Sequence, residues 1–238
     1  MASFLIRFNL VTWVTLLLLG GVALGESPLP AKTRDELDRG KVELRAKGVK
    51  ASDTLLAAFK SRIDQTRKTV KLTGDERTKA VANLEAEKDL FEKTGRIPFS
   101  QIMRIDALKY LATLKQASAA LEKSFDKAIE QATKMSSTDL VKELQTEKQQ
   151  ATKPTVIAKW THFSPDGKNL GVISLLSNGR KPGGSWTLDE QQLVVRSLDP
   201  NGPGGAFLFT CTINADGRTL EAKINDGKQC SWTLVTQP

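Results

Sequence analysis

The stretch Gln149-Gln150-Ala151-Thr152-Lys153-Pro154-Thr155 divides this chain of 238 residues into two regions of unlike composition. Before it the sequence is rich in Ala, Leu, Lys, Glu and Gln and poor in glycine. After it Gly, Val, Thr, Trp and Asn-Gly or Asp-Gly pairs take over. A proline stops a helix at or before its predecessor, so Lys153-Pro154 marks the change. The pattern predicts a segregated α+β chain. An antiparallel helical hairpin or bundle over residues 26–152 is followed by a linker at 153–155. An antiparallel β meander or small barrel then occupies 156–238.

Upstream, residues 1–25 have the form of an export signal. Arg7 supplies the positive start and residues 10–19 an apolar run. Ala23-Leu24-Gly25 gives small residues for cleavage before Glu26. The apolar run is shorter than the roughly 20 residues that cross a bilayer, and no basic stop-transfer cluster follows it. An exported chain, periplasmic or extracellular and soluble once about 213 residues remain, is the expectation.

The helical region carries several start and stop signals. Thr33-Arg34-Asp35-Glu36 and Thr73-Gly74-Asp75-Glu76 have the form of capping boxes. Ser52 and Ser100 are candidate N-caps, and Gly48 and Gly95 fall where C-terminal glycines belong. These predict helices near 34–47, 53–72, 75–94, 101–135 and 138–150. In the fourth, Leu111, Leu114, Ser118, Leu121, Phe125, Ala128, Ala132 and Met135 keep coiled-coil-like 3-4 spacing on one face of a helix about 50 Å long. Matching stripes are Leu55 or Leu56, Phe59, Ile63 and Val70, and Val81, Leu84, Lys88 and Phe91. The long stripe is expected to be covered within a helical hairpin, or by self-association through Leu111, Leu114, Leu121 and Phe125.

The net charge is +8, of which about +6 falls in the helical region. Signs alternate there, as in Glu85, Glu87, Lys88, Asp89, Glu92 and Lys93, which reads as a solvated helix face. Basic residues are not interleaved with aromatics, so no nucleic-acid partner is expected. The partner class left for an exported basic chain is a cell-envelope protein or polysaccharide.

In the second region, strands are expected at 156–163, 170–176, 184–188, 192–198, 206–213, 218–224 and 229–235. Turns are marked by Asp166-Gly167, Asn178-Gly179, Asn201-Gly202, Asp216-Gly217 and Asp226-Gly227. Trp160, Trp186 and Trp232 are each followed by Thr, as half-buried strands favour. Cys211 and Cys230 form an even pair in an exported chain. A disulfide there would add on the order of 3 kcal/mol. In a meander the two lie two strand spacings apart, about 9.5 Å, so a bridge and two buried free thiols both stay open.

Chemistry is sparse. His162 is the only histidine, which leaves no conventional zinc site or cysteine-histidine dyad in view, and no metal or cofactor is expected. An enzyme would have to gather at least two of Asp166, Asp189, Glu190, Asp199 and His162 in one pocket. A hydrolase of an extracellular polymer would need paired carboxylates that the spacing does not bring together. Gly202-Pro203-Gly204-Gly205 and Gly183-Gly184 precede strands and open no phosphate-binding helix. A non-enzymatic chain is therefore expected, with a helical spacer or assembly element joined to a small β interaction module. The alternative is a glycan- or cell-wall-binding module that stacks sugar rings on Trp160, beside His162 and Phe163.

The stretch from Leu84 to Pro98, with Leu84, Glu85, Glu87, Lys88, Phe91, Glu92, Gly95 and Pro98 at its marked positions, precedes Tyr110-Leu111 and Phe125-Asp126-Lys127-Ala128-Ile129. It resembles a helical module of uncharacterised exported proteins of the planctomycete type. The order Trp160, Asp-Gly turn, apolar strand, Asn-Gly turn, Gly-Gly, Trp186 is similar to lipocalin-like small β modules of exported bacterial proteins. The resemblance implies architecture and export, and brings no catalytic residues.

Overall fold

A computed structural model describes residues 29–164, 166–190, 192–198, 206–225 and 227–235. The expected export signal, the Asn201-Gly202 turn, the Gly202–Gly205 segment, Asp199 and Asp226 lie outside the described residues. Among those described are four helices, α1 (Ala31–Lys68), α2 (Gly74–Thr94), α3 (Arg104–Lys134) and α4 (Thr138–Ala151). Eight strands follow: β1 (Val156–Phe163), β2 (Asn169–Leu176), β3 (Arg180–Lys181), β4 (Gly184–Leu188), β5 (Gln192–Leu198), β6 (Ala206–Ile213), β7 (Thr219–Ile224) and β8 (Gln229–Leu234). The segregated α+β order is as the composition predicts, with helix giving way to strand across 152–155.

Helix ends follow the sequence signals unevenly. Thr73 and Glu76 make the reciprocal capping box, and Gly95 closes α2 at φ 72° with its amide on the Phe91 carbonyl. Gly48 and Ser52, by contrast, end and start nothing, because α1 runs through both. The helix also begins ahead of Thr33, with the Thr33 and Arg34 amides on the Pro30 carbonyl. Val70 lies beyond the end of α1 and is 91% exposed, so it leaves its expected stripe. Met135, past the end of α3, is exposed as well.

By compactness the chain falls into two units, and the division does not coincide with the helix-to-strand change. The first holds Met1–Ser52 and Ala112–Lys153; the second holds Asp53–Leu111 and Pro154–Pro238.

In the first unit Leu37, Leu121, Phe125, Ala128, Ala132, Leu140 and Leu144 form the core. α1 and α3 approach closely at Gly40, where an added Cβ would stand 3.3 Å from both Leu121 Cδ1 and Ser124 Oγ. Lys41 pairs with Glu147 at 2.5 Å and Lys148 with Asp126 at 2.6 Å, tying α4 to α1 and α3. Leu121 and Phe125 are thus consumed inside the chain. The self-association stripe expected from the sequence is not available as a surface, because burying its large apolar side chains within one chain avoids the entropy of bringing two chains together.

In the second unit Leu55, Phe59 and Ile63 of α1 meet Leu84 and Phe91 of α2, with Met103 completing a cluster. The eight strands form one antiparallel sheet in the order β2-β1-β8-β7-β6-β5-β4-β3. Every consecutive pair except β2 and β3 is hydrogen bonded, and β1 pairs with β8. The sheet is therefore a nearly closed up-and-down barrel whose one seam lies between β2 and β3. Trp186 straddles the seam near the intervening turn, its indole N–H donating to the Leu176 carbonyl at 2.9 Å.

Candidate functional site

Alternation along the strands sends Trp160, Trp186, Leu193, Val195, Phe209, Cys211, Leu220, Ala222 and Trp232 into the barrel core. Ile97, Phe99 and Ala107 of the helical region belong to the same core. They occupy one end, where Phe99 meets Trp160 edge to face at 5.1 Å and the Ile97 amide bonds the Ile157 carbonyl. This plug is held by polar groups. Arg96 donates to the Val235 carbonyl at 2.8 Å, Arg104 to the Glu190 and Phe99 carbonyls, and the Gln101 amide to the Ala215 carbonyl.

Glu87 anchors the plug from α2. Its Oε1 accepts from the amides of Phe99 (2.9 Å) and Ser100 (2.8 Å), and its Oε2 from Ser100 Oγ (2.5 Å). It is only 6% exposed, where a solvated glutamate was expected. Burial pushes its carboxyl above the ordinary range, against the hydrogen bonds and the charge of Arg218. The missed signal was spacing. Leu84, Glu87 and Phe91 share the buried face of α2 at i, i+3 and i+7, while Lys88, expected in that stripe, turns aside to pair with Glu92.

His162 marks the opposite end. On β1 it stands across from Trp232 on β8 and Gly171 on β2, facing inward. Its ring lies 5.3 Å from Trp232 and 5.5 Å from Phe209, and these two rings are 5.5 Å apart. Phe207, 6.4 Å from Phe209, is 41% exposed at this end. Partial burial lowers the His162 pKa, so the imidazole is neutral near pH 7. The opposite parity directs Phe163 outward, across from Ser231.

The three candidate binding residues are thus separated. Trp160 is fully buried against Phe99 and offers no stacking platform, which corrects the expectation of an exposed tryptophan. A large indole is worth more to the barrel core than to its surface. Trp186 and Trp232 are buried too. Cys211 and Cys230 are both free and buried; each pairs with Ala222, one from either side. An intervening strand keeps the sulfurs beyond bonding reach.

The acidic candidates do not converge. Asp166 accepts from Ser164 Oγ beside the His162 end, whereas Asp189 and Glu190 follow β4 at the plugged end. Among the described residues no three of His, Cys, Asp and Glu gather in a group able to hold a metal ion. A groove of about 190 Å³ in the first unit is lined by Glu36, Arg39, Glu43 and Lys47 around Gly40 and Ala120, with both signs of charge present. No helix among the described residues is long and apolar enough to cross a membrane. Compared with protein-family models, curated proteins and solved structures, the chain matches nothing.

Proposed function

We propose that this is an exported, non-enzymatic interaction protein whose barrel binds a cell-envelope partner at the His162 end, with the helices as spacer or assembly element. The observation that carries this reading is the asymmetry of the barrel ends. Phe99 and Ile97 fill one, whereas the aromatic group of His162, Phe209 and Trp232 reaches partial exposure through Phe207 at the other. Aromatic faces beside a neutral imidazole suit the apolar side of a sugar ring or an aromatic side chain. The export signal form and the resemblance to exported modules support the location. A hydrolase has less support, because Asp166 and Glu190 lie at opposite ends of the barrel.

Tryptophan fluorescence of residues 26–238 tests this, titrated with soluble glycans and peptidoglycan fragments. Trp232 touches His162, so occupancy of that end is expected to change the emission saturably. The change should vanish in His162→Ala and Phe207→Ala variants that remain folded. A response unaltered by both variants, or none across the panel, would remove the His162 end as the binding face.

A further inference from the structure

We propose that the free edge of strand β2, over residues 172–174, is a docking site for an extended peptide strand carrying carboxylates at its ends. β2 is hydrogen bonded on one side only, to β1. Across the seam, β3 is two residues long and pairs with β4. An edge strand presents unpaired amides and carbonyls along its open side, the template on which a further strand adds. Two of the usual protections are missing, since Asn169–Leu176 contains neither a charged residue nor a proline; the register shift at Leu170 and the Gly171 amide held by Asn169 Oδ1 confine the open ladder to the residues after them. Leu170 and Val172 are instead 53% and 57% exposed on its outward face.

Charge names the occupant. Lys168 precedes the edge, Lys159 on β1 stands across from Ser174, and Arg180 and Lys181 form β3 at the far side of the seam. Within residues 154–188 the one acidic residue is Asp166, already engaged by Ser164. An apolar edge in a cationic frame selects a β-forming segment with acidic ends over a neutral or basic one. A second copy of this chain brings the same cations to the seam and is disfavoured. The site is distinct from the His162 end, since Leu170 and Val172 face out of the barrel while His162 faces in.

The test uses the whole chain and a short fluorescein-labelled peptide alternating valine and threonine, with glutamate at both ends, followed by fluorescence anisotropy. Saturable binding is expected, weakened about tenfold when the ends are lysine; added salt weakens the glutamate-ended peptide, whose attraction it screens. Methylating alternate peptide nitrogens should abolish it, as should Val172→Lys, with Leu170→Lys as a second exposed variant. Binding that survives both methylation and Val172→Lys would overturn the proposal, as would no binding at all. Dimerisation in sedimentation that Val172→Lys abolishes, without peptide binding, would overturn it in favour of a second copy. The His162-dependent emission of Trp232 should be unchanged in Val172→Lys, which separates this edge from the barrel end.

Discussion

Ser100 Oγ lies 2.5 Å from Oε2 of Glu87, thirteen residues earlier in the chain, and the Ser100 amide reaches the other carboxylate oxygen at 2.8 Å. One helical carboxylate thereby holds the segment whose next-door Phe99 closes the barrel beneath Trp160.

Removing that carboxylate leaves the Phe99 amide, the Ser100 amide and the Ser100 hydroxyl buried without their acceptor. Glu87→Ala should cost roughly 3 kcal/mol or more, read from urea unfolding. Burial raises the Glu87 pKa above 4.5, so the folded chain holds this proton more tightly than the unfolded one. Its contribution to stability is full below about pH 4.5 and is lost as pH rises through the higher folded-state value. Glu87→Gln cannot ionise and should lack this decline. Identical pH profiles for the Glu87→Gln and wild-type chains would show that folding leaves the carboxyl's pKa unshifted.

Gly217 and Gly95 share a left-handed backbone, at φ 70° and 72°, yet should respond differently to alanine. At Gly217 an added Cβ would stand 2.2 Å from the Ser100 amide nitrogen, whereas at Gly95 nothing lies within 4 Å. Gly95→Ala should cost about 1 kcal/mol, the ordinary strain of a left-handed alanine. Gly217→Ala should cost about 3 kcal/mol, because the plug backbone itself must move. Paired denaturation curves decide this, and equal losses would contradict the close approach.

The single imidazole gives an internal reporter. A His162 pKa held below 6.5 by burial predicts quenching of the neighbouring Trp232 as the imidazolium forms, with a midpoint on the acid side of 6.5. His162→Phe should remove that step. The stability linked to this group is full above pH 6.5 and is lost as pH falls through the depressed folded-state value, opposite in sign to the effect of Glu87. Comparing the two single variants across pH separates them.

Both thiols should be silent in the native chain. Burial pushes the Cys211 thiol up to about 12 and raises that of Cys230, so little thiolate forms at pH 8. Maleimide should label neither quickly until urea is added, then both, without any reductant. Failure to label in urea without a reductant would mean that the sulfurs are joined.

Much of this architecture is legible in the sequence because it rests on local physics. Proline at 154, the Thr73-Glu76 box, Gly95 and the period-2 runs each act within a few residues, and the strand limits follow from them closely. What local physics does not carry is the destination of a side chain. Glu87 reads as a solvated helical charge until the chain returns Ser100 to it, and Trp160 reads as a half-buried strand residue with a surface platform as the alternative until Phe99 arrives from the helical region. Gly48 reads as a stop, yet α1 runs through it, with Leu114 Cδ2 3.8 Å from where a Cβ would stand. The sequence by itself determined the α+β order, the two caps of α2 and the alternation of the strands, since hydrogen bonding and periodicity act between near neighbours. Tertiary structure alone decided which polar group is buried, which barrel end is filled and where the seam falls, because those depend on desolvation and packing between residues far apart in the chain.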